Sequence, residues 1–223
     1  HLAVSLRSFR SEKVAALIKA ILDVDILSAR QLYSVVKKDY PIYITRDLAT
    51  AKKWIKDVAK GTQRYGITAS SGAKRLRKYG VWVQNKINAP DWFLNGKDDV
   101  RSSYYMKETA TEFDIQGLEL DWSIVCWDAN LRFNGRKFEY YNFKGTKWQK
   151  VNKEENMLYL KNSYRVLLTR ARQGFIIFVP RGDEGDPTMN PKFYDGVYEY
   201  LCSIGIKHFE ISENFTKSLE LQV

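Results

Sequence analysis

The sequence predicts an α/β protein whose mostly parallel sheet is covered by helices on both faces. Short apolar runs alternate along the chain with longer stretches in which apolar residues recur at helical spacing. The clearest run, Phe175–Val179, has no polar alternation, which is typical of a strand buried on both faces. A repeated order of strand, turn and helix is expected when helices connect parallel strands.

The N-terminal part is expected to contain one strand and two helices. The apolar run Leu2–Leu6 is interpreted as a buried strand, and Ser11 is placed to cap the first helix. That helix has apolar residues at helical spacing, namely Val14, Leu17, Ile18, Ile21 and Leu22. A second helix is predicted through Leu27, Leu32 and Val35.

Two further strands and their helices are predicted in the middle of the chain. Pro41–Thr45 has the pattern of a strand, and Asp47 can cap the helix that follows it. Tyr65–Ala69 is the next predicted strand. Ser70–Gly72 then forms a turn into a basic helix that ends near Gly80.

The C-terminal part continues the alternation around one interruption. Ile124–Trp127 is a predicted core strand, and residues 128–153 are rich in aromatic and polar residues, which favours an inserted β-hairpin or ribbon. A helix from about Glu154 to Arg172 precedes the Phe175–Val179 strand, and Gly205 is placed to end a last helix. We expect residues 1–223 to form a single domain.

Composition excludes several classes of protein. With 44% hydrophobic residues, the 223-residue chain can bury one sizeable core, and no apolar run reaches the roughly 20 residues that span a bilayer. Two cysteines and two histidines make a disulfide framework or structural zinc site improbable, so we expect a cytoplasmic protein with no metal site. The start at His1 is typical of a cut inside a longer protein.

The charge is strongly positive. Lys and Arg number 36 against 26 Asp and Glu, a net charge of +10. Such a surplus favours polyanionic partners through counterion release, but it equally suits a solvated basic surface.

The first candidate site is the segment Thr111–Asp121, which precedes the Ile124 strand. Gln116 and Gly117 form a polar turn between apolar positions, and such a turn can present an amide and a backbone N–H to a phosphate. Glu119 can accept hydrogen bonds from a sugar or a guanidinium. The alternative is an ordinary loop whose acids pair with nearby Lys or Arg.

The second candidate site is the segment Tyr164–Arg172, which leads into the Phe175 strand. Arg170 and Arg172 are expected at a helix C-terminus, where cations are stabilised by the helix dipole. An arginine held beside a core strand can also reach a γ-phosphate bound by a partner domain. It would then stabilise the charge of phosphoryl transfer, as an arginine finger does.

These segments resemble known helicase motifs. Gln116–Asp121 resembles motif V, and Leu168–Arg172 followed by an apolar strand resembles motif VI, in the order found in UvrD-like helicases of superfamily one. The pairing of Thr111–Glu119 with Tyr164–Gly174 is similar to the bacterial helicase-like family related to the Schlafen C-terminal domain. Ser5–Arg10 is similar to motif IV. UvrD-like motif V carries a His where this chain has Phe113.

The resemblance implies a RecA-like fold, the second motor domain of a P-loop helicase. Arg170 would be the arginine finger and Arg7 a second phosphate contact. Gln116 and Gly117 would form the coupling turn, and Glu119 would contact the nucleotide. Arg172 is a weaker candidate for a phosphate contact, because a salt bridge would explain an arginine at this position equally well.

The phosphate-binding loop of a P-loop ATPase is not found. Gly96-Lys97 is the nearest approach, but Asp91 stands at the position of the first Gly and Asp98 at that of the Ser or Thr. We therefore expect this chain alone neither to hydrolyse ATP nor to bind it tightly. ATP and Mg²⁺ would act in the full-length protein, with the N-terminal P-loop domain of the same protein as partner.

Candidate nucleic-acid-binding residues fall into two sets of cations and aromatics, which suit single-stranded DNA or RNA. The first set is Lys74, Arg75, Arg77, Lys78 and Trp82, and the second, in the insertion, is Arg136, Lys144, Lys147 and Trp148. Either Trp can equally be a core residue.

Two other functions remain open. One is a non-catalytic nucleic-acid-binding or regulatory module of helicase fold. The other is a metal-dependent nuclease, which needs carboxylates that converge on one ion. Its candidates are Asp98, Asp99, Asp114, Glu119 and Asp121.

Overall fold

The structure, a computed structural model, describes residues 2–211, with the backbone alone for residues 2–9. The described part contains helices α1 (Leu2–Leu22), α2 (Ile26–Val36), α3 (Leu48–Val58), α4 (Ala89–Leu94), α5 (Glu154–Thr169) and α6 (Lys192–Ile204). Its strands are β1 (Ile42–Thr45), β2 (Tyr65–Ala69), β3 (Thr109–Ala110), β4 (Leu120–Cys126), β5 (Leu131–Phe133), β6 (Phe138–Lys144), β7 (Lys147–Lys150), β8 (Ala171–Phe178) and β9 (Lys207–His208). Three short 3₁₀ helices cover Lys74–Tyr79, Ser103–Tyr105 and Pro187–Met189.

The main sheet has six parallel strands in the order β3-β2-β4-β8-β1-β9. The long strands β4 and β8 lie at its centre, with Ile124 opposite Ile176. Side chains alternate between two cores: Phe175 and Ile177 face one, and Ile176 and Phe178 face the other.

Helices cover both faces of this sheet. The first core is built with α1, α2, α5 and α6, and the second with α3 and the 3₁₀ helix Lys74–Tyr79. The predicted α/β class, a mostly parallel RecA-like sheet with helices on both faces and a small β insertion, is confirmed.

The insertion is a three-stranded antiparallel sheet in the order β5-β6-β7, one strand more than a hairpin. Phe133 stacks on Tyr200 of α6 with 4.2 Å between ring centroids. Gly196 permits this approach, because a Cβ there would lie 2.1 Å from the Phe133 carbonyl oxygen. The insertion is therefore packed against α6.

Local signals in the sequence place several element ends correctly. The Asp47 carboxylate accepts a hydrogen bond from the Thr50 N–H at 2.7 Å and caps α3. Gly205 ends α6 with a φ of 111°, and Gly80 ends the basic 3₁₀ helix with a φ of 78°. Strand β2 has the predicted bounds, since it is fully buried and flanked by polar turns.

The predicted strand Leu2–Leu6 is wrong. Helix α1 covers residues 2–22, so Ser11 lies inside it and does not cap it. A short apolar run does not distinguish a strand from a helix, and an established helix extends at little cost per residue. Arg7 is therefore on a helix and not at a strand end, and its side chain lies outside the described part.

The predicted helix Glu154–Arg172 is too long at its C-terminal end. Helix α5 ends at Thr169, Arg170 is its C-cap, and Arg172 belongs to β8. The chain leaves the helix there because the Leu120 N–H donates to the Arg170 carbonyl at 3.2 Å, which starts the pairing of β4 with β8.

Between residues 2 and 211, no helix has both the length and the apolar character needed to span a membrane. The cytoplasmic location and the single-domain division stay predictions.

Candidate functional site

The two candidate motifs meet at the amino-terminal edge of the sheet. Because β4 and β8 are parallel neighbours, their first residues, Leu120 and Ala171, lie opposite each other. Glu119, which precedes β4, therefore lies near Arg170 and Arg172 at the start of β8, and all three line one cavity.

These residues line a cavity of about 300 Å³, called here the arginine cavity. Its charged residues are Arg10, Glu119, Arg170 and Arg172, and Tyr40 forms part of its wall. Three guanidinium groups face one carboxylate, so an anionic ligand is favoured. Sequence reasoning missed Arg10 and Tyr40; the only signal for Arg10 was its place in the Ser5–Arg10 segment.

The arginines of this cavity are held differently. Arg172 Nη2 donates to Asp121 Oδ1 at 2.7 Å, and its Nε lies 4.0 Å from a Glu119 carboxylate oxygen. Asp121 also accepts from the Arg64 N–H at 2.7 Å. The Arg170 side chain makes no hydrogen bond or ion pair with a described residue, and its Nε, like the Nε of Arg172, is buried without a hydrogen-bond partner. A buried donor without an acceptor costs about 1–3 kcal/mol, so Arg170 is suited to an added anion.

Tyr40 fixes the backbone between Arg170 and Arg172. Its hydroxyl donates to the Ala171 carbonyl oxygen at 2.7 Å. Burial raises the pKa of the Tyr40 hydroxyl, which therefore stays protonated as a donor. Arg170 and Arg172 are the two residues that flank this anchored backbone.

The Thr111–Gly117 segment is a compact turn held by its own acids. Asp114 accepts from the N–H and hydroxyl of Thr111 at 2.8 and 2.7 Å. Glu112 accepts from the N–H and hydroxyl of Ser71 at 2.8 and 2.7 Å, which joins the turn to the loop after β2. Gln116 is exposed, and Gly117 has the φ of 83° that the turn requires.

A second groove of about 180 Å³ runs between this turn and α5, and is called here the aromatic groove. Phe113 and Gln116 line it on one side, and Tyr159, Val166 and Arg170 on the other. Arg170 lines both cavities, whereas Gln116 lines the aromatic groove and not the arginine cavity. The structure thus separates Gln116 from Glu119, although the two residues are close in sequence.

Two residues of the first predicted nucleic-acid-binding set lie beside the hairpin that carries part of the second set. Lys74 Nζ donates to the Phe143 carbonyl oxygen at 3.4 Å, and the Arg75 guanidinium lies 5.1 Å from the Phe143 ring centroid. The basic 3₁₀ helix therefore packs against the hairpin β6–β7, where Lys144 and Lys147 are exposed.

The two tryptophans of these sets differ in environment. Trp82 is 37% exposed, and the Arg77 guanidinium stacks 3.8 Å from its ring centroid. Trp148 is half-buried and donates its indole N–H to the Thr188 carbonyl oxygen at 2.7 Å. The Trp148 ring thus anchors the insertion, while its nucleic-acid contact and that of exposed Arg136 stay predictions.

An acidic loop between β8 and α6 neutralises part of the basic 3₁₀ helix. Arg75 Nη2 pairs with Asp186 Oδ2 at 2.6 Å, and Lys78 pairs with Asp183. In the same loop, Glu184 is exposed and makes no ion pair with a described residue. Two of the predicted phosphate contacts are therefore occupied by carboxylates.

Asp128, which follows β4 at the carboxyl edge of the sheet, is a fully buried acid that sequence reasoning missed. It accepts from the N–H groups of Arg75 at 3.0 Å and Ala129 at 2.7 Å, and from the Tyr194 hydroxyl at 3.0 Å. Burial raises the pKa of Asp128 to about 6, although the three hydrogen bonds oppose this. Its position directly after a buried strand was the available signal.

The acids of the nuclease alternative do not converge. Asp99 pairs with Arg101, Asp114 holds Thr111, and Asp121 pairs with Arg172. In the part of the chain that the structure describes, no group of three or more His, Cys, Asp or Glu residues is arranged to hold a metal ion.

The fold is that of a RecA-like α/β protein. The family model for the Schlafen group 3 DNA/RNA helicase domain matches residues 1–181, and the chain belongs to this family. Its function is therefore helicase-related, and the resemblance to Schlafen-related proteins is confirmed. Searches of curated proteins and of solved structures find no match.

Proposed function

We propose that this chain is the C-terminal motor half of an ATP-dependent DNA or RNA helicase or translocase of the UvrD-like superfamily one. It supplies an arginine finger, Arg170, to an ATP site that is completed by the N-terminal P-loop domain of the same protein. One observation carries the proposal: Arg170 has no partner among the described residues and lines a cavity with two further arginines.

Electrostatics supports a phosphate as the ligand of the arginine cavity. Arg172 is paired with Asp121 and Arg170 is unpaired, so the cavity retains positive charge near Arg10 and Arg170. In phosphoryl transfer, charge spreads over the oxygens of the transferred group, and a preorganised guanidinium stabilises it.

Other residues of the site have separate roles in this proposal. Arg172 is a positioned phosphate contact, and Arg7 is a second catalytic arginine on α1. Glu119 contacts the nucleotide, and the Gln116-Gly117 turn couples the ATP site to the bound nucleic-acid strand. The P-loop domain holds ATP and Mg²⁺, because this chain has no Walker A sequence.

The strand that moves through the motor is proposed to be single-stranded DNA or RNA. Its phosphates are contacted by the basic 3₁₀ helix and the β6–β7 hairpin, through Lys74, Arg75, Arg77 and Lys144. Trp82 and Trp148 are the proposed aromatic contacts of this surface. Its cations and its exposed Trp82 suit this ligand.

ATP turnover by the full-length protein tests the proposal. Turnover is measured with and without single-stranded DNA or RNA in wild type, Arg170→Ala and Arg170→Lys. Arg181→Ala is the matched control, since Arg181 is exposed and follows the opposite end of β8. We expect strand-stimulated turnover that falls about a thousandfold or more in Arg170→Ala and persists in Arg181→Ala.

Two outcomes would contradict parts of the proposal. Wild-type turnover in Arg170→Ala would show that Arg170 is not the finger. Strand binding without stimulated turnover in the wild type would instead favour the non-catalytic module.

A further inference from the structure

Phe113 and Tyr159 form an exposed aromatic pair whose exposure core packing does not explain. Phe113 is 54% exposed and Tyr159 is 55% exposed, with 6.2 Å between ring centroids and 35° between ring planes. Contiguous exposed apolar surface can mark a ligand-binding groove.

The pair lies at the rim of the aromatic groove, whose floor follows one face of α5. Tyr159, Val166 and Arg170 succeed one another at helical spacing along this face. Opposite them, the exposed Gln116 amide offers both a hydrogen-bond donor and an acceptor. A planar ring with polar edges is complementary to these groups.

Charge distinguishes a base from a phosphate at this position. The groove contains one carboxylate, Glu112, which is engaged by Ser71, and one guanidinium, Arg170 at its far end. The aromatic rim itself carries no net charge, whereas the neighbouring basic 3₁₀ helix carries several cations. A strand can therefore place a base on the rim and its phosphates on the basic helix.

Ser71 links the groove to the loop that leads into the basic 3₁₀ helix. Ser71, which donates to Glu112, is followed three residues later by Lys74, the first residue of the basic 3₁₀ helix.

We propose that Phe113 and Tyr159 form a stacking site for an unpaired base of a single nucleic-acid strand. The inference rests on the proposed strand binding and goes beyond it, because these residues belong to neither predicted nucleic-acid-binding set. Since Arg170 lines both cavities, occupancy of this site is adjacent to the proposed finger.

The test compares a thymidine oligonucleotide of about 12 nucleotides with an abasic strand of the same length, by fluorescence anisotropy without ATP. The full-length wild-type protein should bind the base-bearing strand about tenfold more tightly than the abasic one. Phe113→Ala and Tyr159→Ala should weaken this preference and keep their abasic affinity, whereas Tyr159→Phe should retain it in full. Leu158→Ala is the control, since Leu158 is also 55% exposed on α5 and does not line the groove.

Undiminished preference in both alanine variants would overturn the inference. The inference would also be overturned if the alanine variants lost binding to adenosine monophosphate while their strand binding was unchanged. The site would then bind the base of a mononucleotide and not a base of a strand. Absence of ATP turnover contradicts the proposed motor alone, and the strand preference would still stand.

Discussion

Arg172 in β8 is paired with Asp121 in β4 at 2.7 Å, whereas Arg170, two residues earlier, is left without a partner among the described residues. The chain changes from helix α5 to strand β8 between them, and both arginines line the arginine cavity. One arginine closes the edge of the sheet, and the other is available to a ligand.

Asp121→Ala should destabilise the protein, because it leaves Arg172 and the Arg64 N–H without their acceptor. We expect the free energy of unfolding to fall by about 2–4 kcal/mol in urea titrations. Glu119→Gln should change it by less than about 1 kcal/mol, since that side chain is 55% exposed. Equal losses in both variants would contradict the distinct role of Asp121.

Asp128 should make stability depend on pH. Its folded pKa of about 6 exceeds that of an ordinary Asp, so the folded state holds the proton more tightly than the unfolded state. This stabilisation is fully present below about pH 4 and is lost as the pH rises through about 6. The advantage of wild type over Asp128→Asn should therefore shrink by about 1–3 kcal/mol between pH 4 and pH 7.5.

Urea titrations of both proteins across this pH range measure that difference. Subtracting Asp128→Asn from wild type removes the titration of all other groups. A difference that does not vary with pH would show that Asp128 titrates alike in both states.

Neutralising the acidic loop should strengthen strand binding. Asp186→Asn releases Arg75, and Asp183→Asn releases Lys78, so each should raise affinity roughly twofold to fivefold at low salt. Glu184→Gln removes the same charge from the same loop without breaking an ion pair with a described residue. If Glu184→Gln raises the affinity as much as Asp186→Asn and Asp183→Asn do in anisotropy titrations, the effect comes from net charge and not from release of Arg75 and Lys78.

Gly196→Ala should loosen the insertion. A Cβ at this position would lie 2.1 Å from the Phe133 carbonyl oxygen, so β5 or α6 must shift. We expect a loss of about 1–3 kcal/mol in thermal or urea unfolding. Gly96→Ala is the control, because its nearest neighbour is a flexible Asp98 carboxylate at 3.6 Å. Unchanged stability of Gly196→Ala would mean that the contact is not required.

Local chemistry explains which elements were predictable. Asp47 caps α3 and Gly205 ends α6 because capping depends on a few neighbouring residues. The predicted strand Leu2–Leu6 failed where the signal was a short apolar run, which fits either structure. Arg172 was predicted at the end of a helix but lies in β8. The pairing of β8 with β4 involves residues distant in sequence, so no local signal revealed it.

The sequence by itself determined the α/β class, the order of the long strands and helices from β1 onward, and the two motifs that carry the family resemblance, whereas α4, β3 and β9 were not predicted. Periodicity and capping are properties of neighbouring residues, so they can be read before folding. Only the tertiary structure decided that Arg10 and Tyr40 join Arg170, that Gln116 lies in a different cavity from Glu119, and that Arg75 and Lys78 are paired. These contacts depend on which strands become neighbours, which is settled by burial of the whole sheet and not by any local segment.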